Sequence, residues 1–238
     1  MMQGLSKAIN LYLAPLLSLT SFILILFAYL APVLMLQTRV ALLTVTPSSA
    51  LTQPTGDGHS VDGPSVFLGP LGSCERANNN AATNCSTLTI SPHYDLSVLP
   101  SNAPDLLTAP TVSTPVFIAI SLAFTIMFFF TFTFTAFRSK LGKLGPIFDK
   151  PAVQRFTAWI GLLGFLTGLT SFLVLRMWFG KAVEDFNNLI LKGGSNSPQL
   201  VANTSNGFVM IYVGFAFYAV PLACSLAKLH VLATAKAA

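Results

Sequence analysis

Four long apolar runs, separated by polar segments, organise the chain. They cover about residues 11–36, 116–137, 156–179 and 208–229. Each has the roughly 20 residues a helix needs to cross a bilayer's hydrocarbon core. None carries a charge at its centre. Arg176 and Lys228 stand near the ends of the third and fourth runs, where a long side chain can reach the interface. The pattern predicts four transmembrane helices joined by segments 37–115, 138–155 and 180–207. The first run is about twice the length of a signal-peptide core of 7–15 residues, so a retained helix is expected.

Two runs carry internal patterns. "FFFTFTFTAF" in the second alternates with period two, which on its own reads as a strand. An open strand in lipid leaves its edges unsatisfied, so a helix is expected. Thr125, Thr131 and Thr135 would then bond back to carbonyls three or four residues earlier, with the phenylalanines facing lipid or neighbouring helices. In the third run Gly161, Gly164 and Gly168 share one face, extended by Thr157 and Ser171. The G-x-x-x-G pair lets two backbones approach closely. Packing inside the chain's own bundle is the plain expectation, and self-association or partner contact the sharper one. Cys224, after Pro221 in the fourth run, reads as a buried, unpaired small residue.

The segment 37–115 is the one long polar stretch. Strands are expected at 39–45, 64–69 and 86–90 from their β-forming residues. The stretch 47–64 is turn-rich and reads as an excursion, and "GGSNSP" at 193–198 marks a turn in the shorter segment.

Composition supports the membrane reading: 53% of residues are apolar and 9% charged, against about 25% charged in ordinary soluble domains. Charge then orients the helices. With four crossings, both termini share a side with 138–155. That side carries Lys7, Arg138, Lys140, Lys143, Lys150, Arg155, Lys228 and Lys236 against Asp149, a net +7. The other side sums to −2. Positive residues favour the cytoplasmic side, so both termini are expected there. The basic balance reflects topology and contact of Arg138, Lys140, Lys143, Lys150 and Arg155 with anionic lipid head groups, not nucleic-acid binding. Two glycosylation sequons, at Asn84 and Asn203, fall on the opposite, external side. Helices of 22–26 residues suit the thicker plasma membrane.

The compartment decides the cysteine chemistry. Cys74 and Cys85 lie eleven positions apart in the external segment, which is oxidising, so a disulfide is expected. Zinc would need two further ligands, and the external His59 and His93 fit no finger spacing. No metal or cofactor is expected. Catalytic residues are not found either. His93 and Asp95 are two apart in a loop, and the adjacent Glu184 and Asp185 would not face each other on a helix.

Four helices, cytoplasmic termini, a long first loop and a close cysteine pair together resemble the claudin and peripheral-myelin-protein superfamily. Gly69, Leu71 and Cys74 take the spacing of its G-x-W-x-x-C stretch, with leucine in place of tryptophan. The chain is more similar to the fungal Sur/PalI family of four-helix plasma-membrane proteins. "FLGPLGSC" with Gly69 and Gly72, then Cys85, then "HYDLSVLP" with Tyr94, Asp95 and Leu96 carry that resemblance over residues 67–100. It implies a claudin-like all-α membrane fold: a four-transmembrane-helix bundle with a small, disulfide-stapled, β-containing first extracellular loop. It also implies a cell-cortex, cell-wall or ambient-pH role. A non-enzymatic membrane organiser or accessory subunit is therefore expected, with membrane lipids, other membrane proteins or copies of itself as partners. An oligomeric channel or transporter subunit lined by Ser121, Thr125, Thr131 and Thr135 is the alternative.

Overall fold

The computed structural model describes residues 9–51 and 61–237. Lys7, Asp57, His59 and residues 52–60 of the turn-rich excursion lie outside them, as does the Lys236 side chain. A π-helical turn Ile9–Leu13 leads into helix α1 (Ala14–Leu30). Strands β1 (Leu43–Pro47), β2 (Ser65–Gly69), β3 (Gly72–Arg76) and β4 (Asn84–Cys85) follow. Then come helix α2 (Ser113–Ala136), a run of short helical turns to Phe148, helix α3 (Pro151–Gly193), strand β5 (Leu200–Thr204) and helix α4 (Gly207–Ala237). Four helical segments are long and apolar enough to cross a membrane: Leu11–Leu30, Ser113–Ala136, Pro151–Asn196 and Gly207–Leu229. This is the organisation of a multi-pass membrane protein.

The helix ends differ from the hydropathy limits for local reasons. The first helix stops at Leu30, not near residue 36, because Pro32 offers no N–H and disfavours a helical residue before it. Helices α2 and α3 begin earlier than their apolar runs, with Pro115 and Pro151 in their first turns, where a missing N–H is harmless. The largest difference is at the far end of α3, which runs 43 residues rather than ending at Phe179. At 1.5 Å per residue it is about 64 Å long, roughly twice a hydrocarbon core. Past Gly180 it becomes amphipathic. Phe186 and Ile190 are buried, while Lys181 bonds Asp185 at 2.7 Å and lies 3.7 Å from Glu184 on the exposed face. Hydropathy registers only the apolar part.

The chain divides into two compact units: Met1–Leu26 with Phe117–Ser171 and Ile211–Ala238, and Phe27–Val116 with Phe172–Met210. The first is helical. Its buried positions on α2 (Ile118, Leu122, Thr125, Phe128, Phe132, Thr135) recur three or four residues apart, the spacing that keeps one helix face inward. The "FFFTFTFT" stretch behaves as the helical reading expects. Phe128 and Phe132 are buried and Phe130 and Phe134 exposed. Thr125, Thr131 and Thr135 each donate to the carbonyl four residues earlier at 2.8 Å. The Cys224 thiol is free and half-buried rather than fully enclosed.

The second unit contains a five-stranded antiparallel sheet in the order β4-β3-β2-β1-β5. Three of its strands, β3, β4 and β5, lie where none was expected, and β1 covers Leu43–Pro47 rather than 39–45. The 86–90 segment is not a strand; Cys74 and Cys85 instead sit in β3 and β4, neither of which was foreseen. The segment 180–207 supplies β5, so two segments far apart in sequence share one sheet. β5 binds β1 over five residue pairs, from Leu43 opposite Thr204 to Pro47 opposite Leu200.

Candidate functional site

Strand register fixes what each face of the sheet carries. Asn203, Thr44, Phe67, Cys74 and Cys85 stand opposite one another in sequence across all five strands, so they share a face. Cys74 and Cys85 are directly paired across the β3–β4 ladder, with Cα atoms 4.0 Å apart, and form the expected disulfide. Cys74 packs with Ala41, Phe67 and Cys85, and the Arg76 guanidinium lies 5.9 Å from the Phe67 ring centre. The next row, Ala202, Val45, Val66, Glu75 and Asn84, points the other way. The two sequon asparagines, both exposed, therefore project from opposite faces.

The motif residues of 67–100 converge on one hairpin. β2 and β3 turn through Pro70-Leu71, with Gly69 opposite Gly72. A Cβ at Gly69 would overlap the Ala31 carbonyl and lie 2.5 Å from Pro32. At Gly72, whose φ is +154°, a Cβ would lie 2.5 Å from the Ser86 hydroxyl. Glycine is required at both by close approach. The buried Tyr94 hydroxyl donates to the Gly69 carbonyl at 2.8 Å, and its ring stacks on Phe179 at 6.5 Å. Burial holds that phenol's pKa well above its ordinary value. Asp95 donates its N–H to the Ser73 hydroxyl at 2.9 Å and accepts the Ser97 N–H at 3.1 Å. Leu71 is buried, and Leu96 half-buried, closing a turn with Leu99. The "G-x-L-G-x-C" and "YDL" stretches are thus two halves of one structural knot.

Electrostatics around that knot are modest. The Asp95 carboxyl is held below its usual range by the Ser97 N–H and hydroxyl. Glu75 is pushed up, first by burial and then by the negative charge of Asp95, against a Val98 N–H that lowers it. Nearby, a recess of about 290 Å³ is lined by Pro47, Pro64, Pro100 and Pro198 with Asp62 and Asn102. Its polar groups already hold the chain. Asp62 accepts the Asn79 N–H at 2.8 Å, and the Asn102 amide donates to the Asn196 carbonyl at 3.1 Å. Among the described residues no three His, Cys, Asp or Glu side chains form a metal-ligand group.

One residue that the sequence did not single out closes the sheet. From α3, the Asn187 amide donates to the Ala202 carbonyl at 2.8 Å and accepts the Ala202 N–H at 2.9 Å. It takes the outward-facing backbone groups at the centre of β5, as a neighbouring strand would. No periodic or compositional signal marks it.

In the helical unit, the glycines of α3 face the chain's own side chains. A Cβ at Gly161 would lie 2.6 Å from the Phe128 ring, one at Gly164 3.0 Å from both Phe124 and the Tyr218 hydroxyl, and one at Gly168 2.8 Å from Phe215. The Ser121 hydroxyl donates to the Gly164 carbonyl at 2.8 Å. The glycine face is used for packing within the chain, and Ser121, Thr125 and Thr135 are buried in the same interior. Arg138, Lys140, Lys143, Lys150 and Arg155 are all exposed. Arg138 pairs with Asp149 at 3.2 Å. The Lys140 ammonium lies 5.8 Å from the Tyr12 ring centre and 6.0 Å from that of Phe137.

Comparisons with protein-family models, with curated proteins and with solved structures each return no match.

Proposed function

We propose that this chain is a non-enzymatic, claudin-like four-span protein of the plasma membrane that organises membrane domains or serves as an accessory subunit. In this reading the termini are cytoplasmic, the stapled sheet is extracellular, and the role belongs to cell-cortex, cell-wall or pH-response processes, as the Sur/PalI resemblance implies. One observation carries it. The polar side chains gathered at the most motif-rich place in the molecule (Ser73, Ser86, Tyr94 and Asp95) are engaged in holding backbone, as is Asn187 at the opposite edge of the sheet. Such a lobe is a rigid surface for recognition, and its chemistry is that of a scaffold. The Ser121, Thr125 and Thr135 hydroxyls of α2 likewise bond to helix carbonyls, which supports a closed bundle over a solute path within one chain.

The test combines two measurements on the intact protein. Cross-linking in native membranes is expected to recover a defined set of membrane-protein neighbours, including copies of the chain. Purified protein in liposomes is expected to pass no ion or small solute beyond the empty-vesicle rate. Protein-dependent flux would replace this reading with the channel or transporter one.

A further inference from the structure

The basic residues beside the helical unit are not equivalent. Arg138 is neutralised by Asp149, the one acid in residues 138–155. Lys143, Lys150 and Arg155 are exposed, and among the described residues none of the three stands over an aromatic ring. Two other cations are placed differently. Lys140 stands over an edge-to-face pair of rings, Tyr12 and Phe137, whose centres are 6.1 Å apart. Lys228 of α4, half-buried, lies 5.4 Å from the Phe132 ring centre, five positions before Phe137. Among the described residues neither lysine has a carboxylate partner.

Both lysines therefore sit at the same end of the helical unit, each held on an aromatic ring and each without a counter-anion. A cation over a ring keeps its charge available on the side away from the ring. Tyr12, Leu13 and Leu16 present a strongly exposed apolar strip along the first membrane-spanning segment next to this place. A ligand that matches carries negative charge at its head and hydrocarbon below it. The geometry points to a bound anionic phospholipid, its phosphate engaged by Lys140 and Lys228 and its acyl chains lying along Tyr12, Leu13 and Leu16. The inference rests on the chain being embedded in a bilayer and is independent of the organiser role. It also departs from the sequence expectation of a uniformly lipid-facing loop. Arg138 is excluded by its ion pair, and Lys228, from another helix, is included.

The experiment reconstitutes the intact protein in nanodiscs of phosphatidylcholine with a minority of phosphatidylserine. Native mass spectrometry then counts the lipids retained. Wild-type protein is expected to retain phosphatidylserine well above its share in the disc, and excess inorganic phosphate is expected not to displace it. Lys140→Gln and Lys228→Gln should each lower that retention about fivefold, the factor equivalent to about 1 kcal/mol for the loss of one specific exposed ion pair. The Lys143→Gln/Lys150→Gln double variant removes twice the charge of either single variant and should still leave retention within about twofold of wild type, because a diffuse surface charge is screened over about 10 Å. Equal losses from the two pairs of lysines would overturn the site in favour of general surface potential. Retention of phosphatidylserine no greater than its share by the wild-type protein, or its displacement by phosphate, would overturn it without reference to any variant.

Discussion

The helical unit and the sheet-bearing unit satisfy their polar groups in opposite ways. In the first, side-chain hydroxyls mostly bond within their own helix. Thr125, Thr131, Thr135 and Thr157 all donate to the carbonyl four residues back. In the second, side chains reach backbone far away in sequence. Tyr29 donates to Pro115 and Asn206 to Arg39, besides the bonds of Tyr94 and Asn187. Helices in lipid must be self-sufficient because no water is there to complete them. A small sheet outside the apolar segments has the reverse problem. Each strand is weak alone, so long-range stitches define it. Single stitches should matter more in the sheet unit than single hydroxyls in the helical one.

The largest effect expected from breaking that contrast is loss of the disulfide. Cys74→Ser releases a link between residues eleven apart, costing about 3 kcal/mol in the chain-entropy model. Hydrogen exchange should speed up across β2–β4 and stay unchanged in α2 and in the Pro151–Ser171 part of α3. Equal loosening of those helices would erase the distinction. Asn187→Leu leaves the Ala202 N–H and C=O unpaired and should destabilise the sheet by about 2 kcal/mol, seen as faster exchange centred on β5. Tyr94→Phe keeps the ring on Phe179 and removes one bond to Gly69, about 1 kcal/mol. A thermal melt in detergent would register it as a small drop, and an unchanged melt would show that the hydroxyl is dispensable.

The smallest effect is on pH dependence. Glu75 has its folded pKa raised, so its charged form disfavours the fold as pH climbs through the carboxylate range. Asp95 has its pKa lowered, so it contributes stability that is lost as pH falls through that range. The two oppose each other and should leave the wild-type profile nearly flat there. Glu75→Gln is expected to unmask Asp95, giving a protein that loses stability on acidification more steeply than wild type. A variant with a flatter profile would assign the balance elsewhere.

How much of this was legible in the sequence follows the same division. The four spans were, because lipid demands long apolar runs and little else. So was the staple, expected from two cysteines eleven residues apart on the side that the charge pattern reads as external. β3 was not, since "GSCER" holds two charges and no alternation, and only the pairing with β2 makes it a strand. β5 was hidden for a related reason. Its partner β1 lies over 150 residues earlier, and local patterns do not carry such pairings. The end of α3 was missed because Phe186 and Ile190 are too sparse to register as an apolar run. Among site residues, the resemblance named Gly69, Gly72, Tyr94 and Asp95, but only the fold shows that they meet. Asn187 drew no notice, and Lys228 was read only as an interface-reaching charge, because the significance of each lies in which neighbour it meets.

The amide from α3 that occupies the middle of β5 has one further consequence. A ribbon of strands blocked along one margin can be lengthened at the other margin alone, and there β4 offers just two residues. Should two such lobes ever join through their free borders, each would use up the other's remaining opening. Growth by that route halts at a couple and does not continue into a fibre.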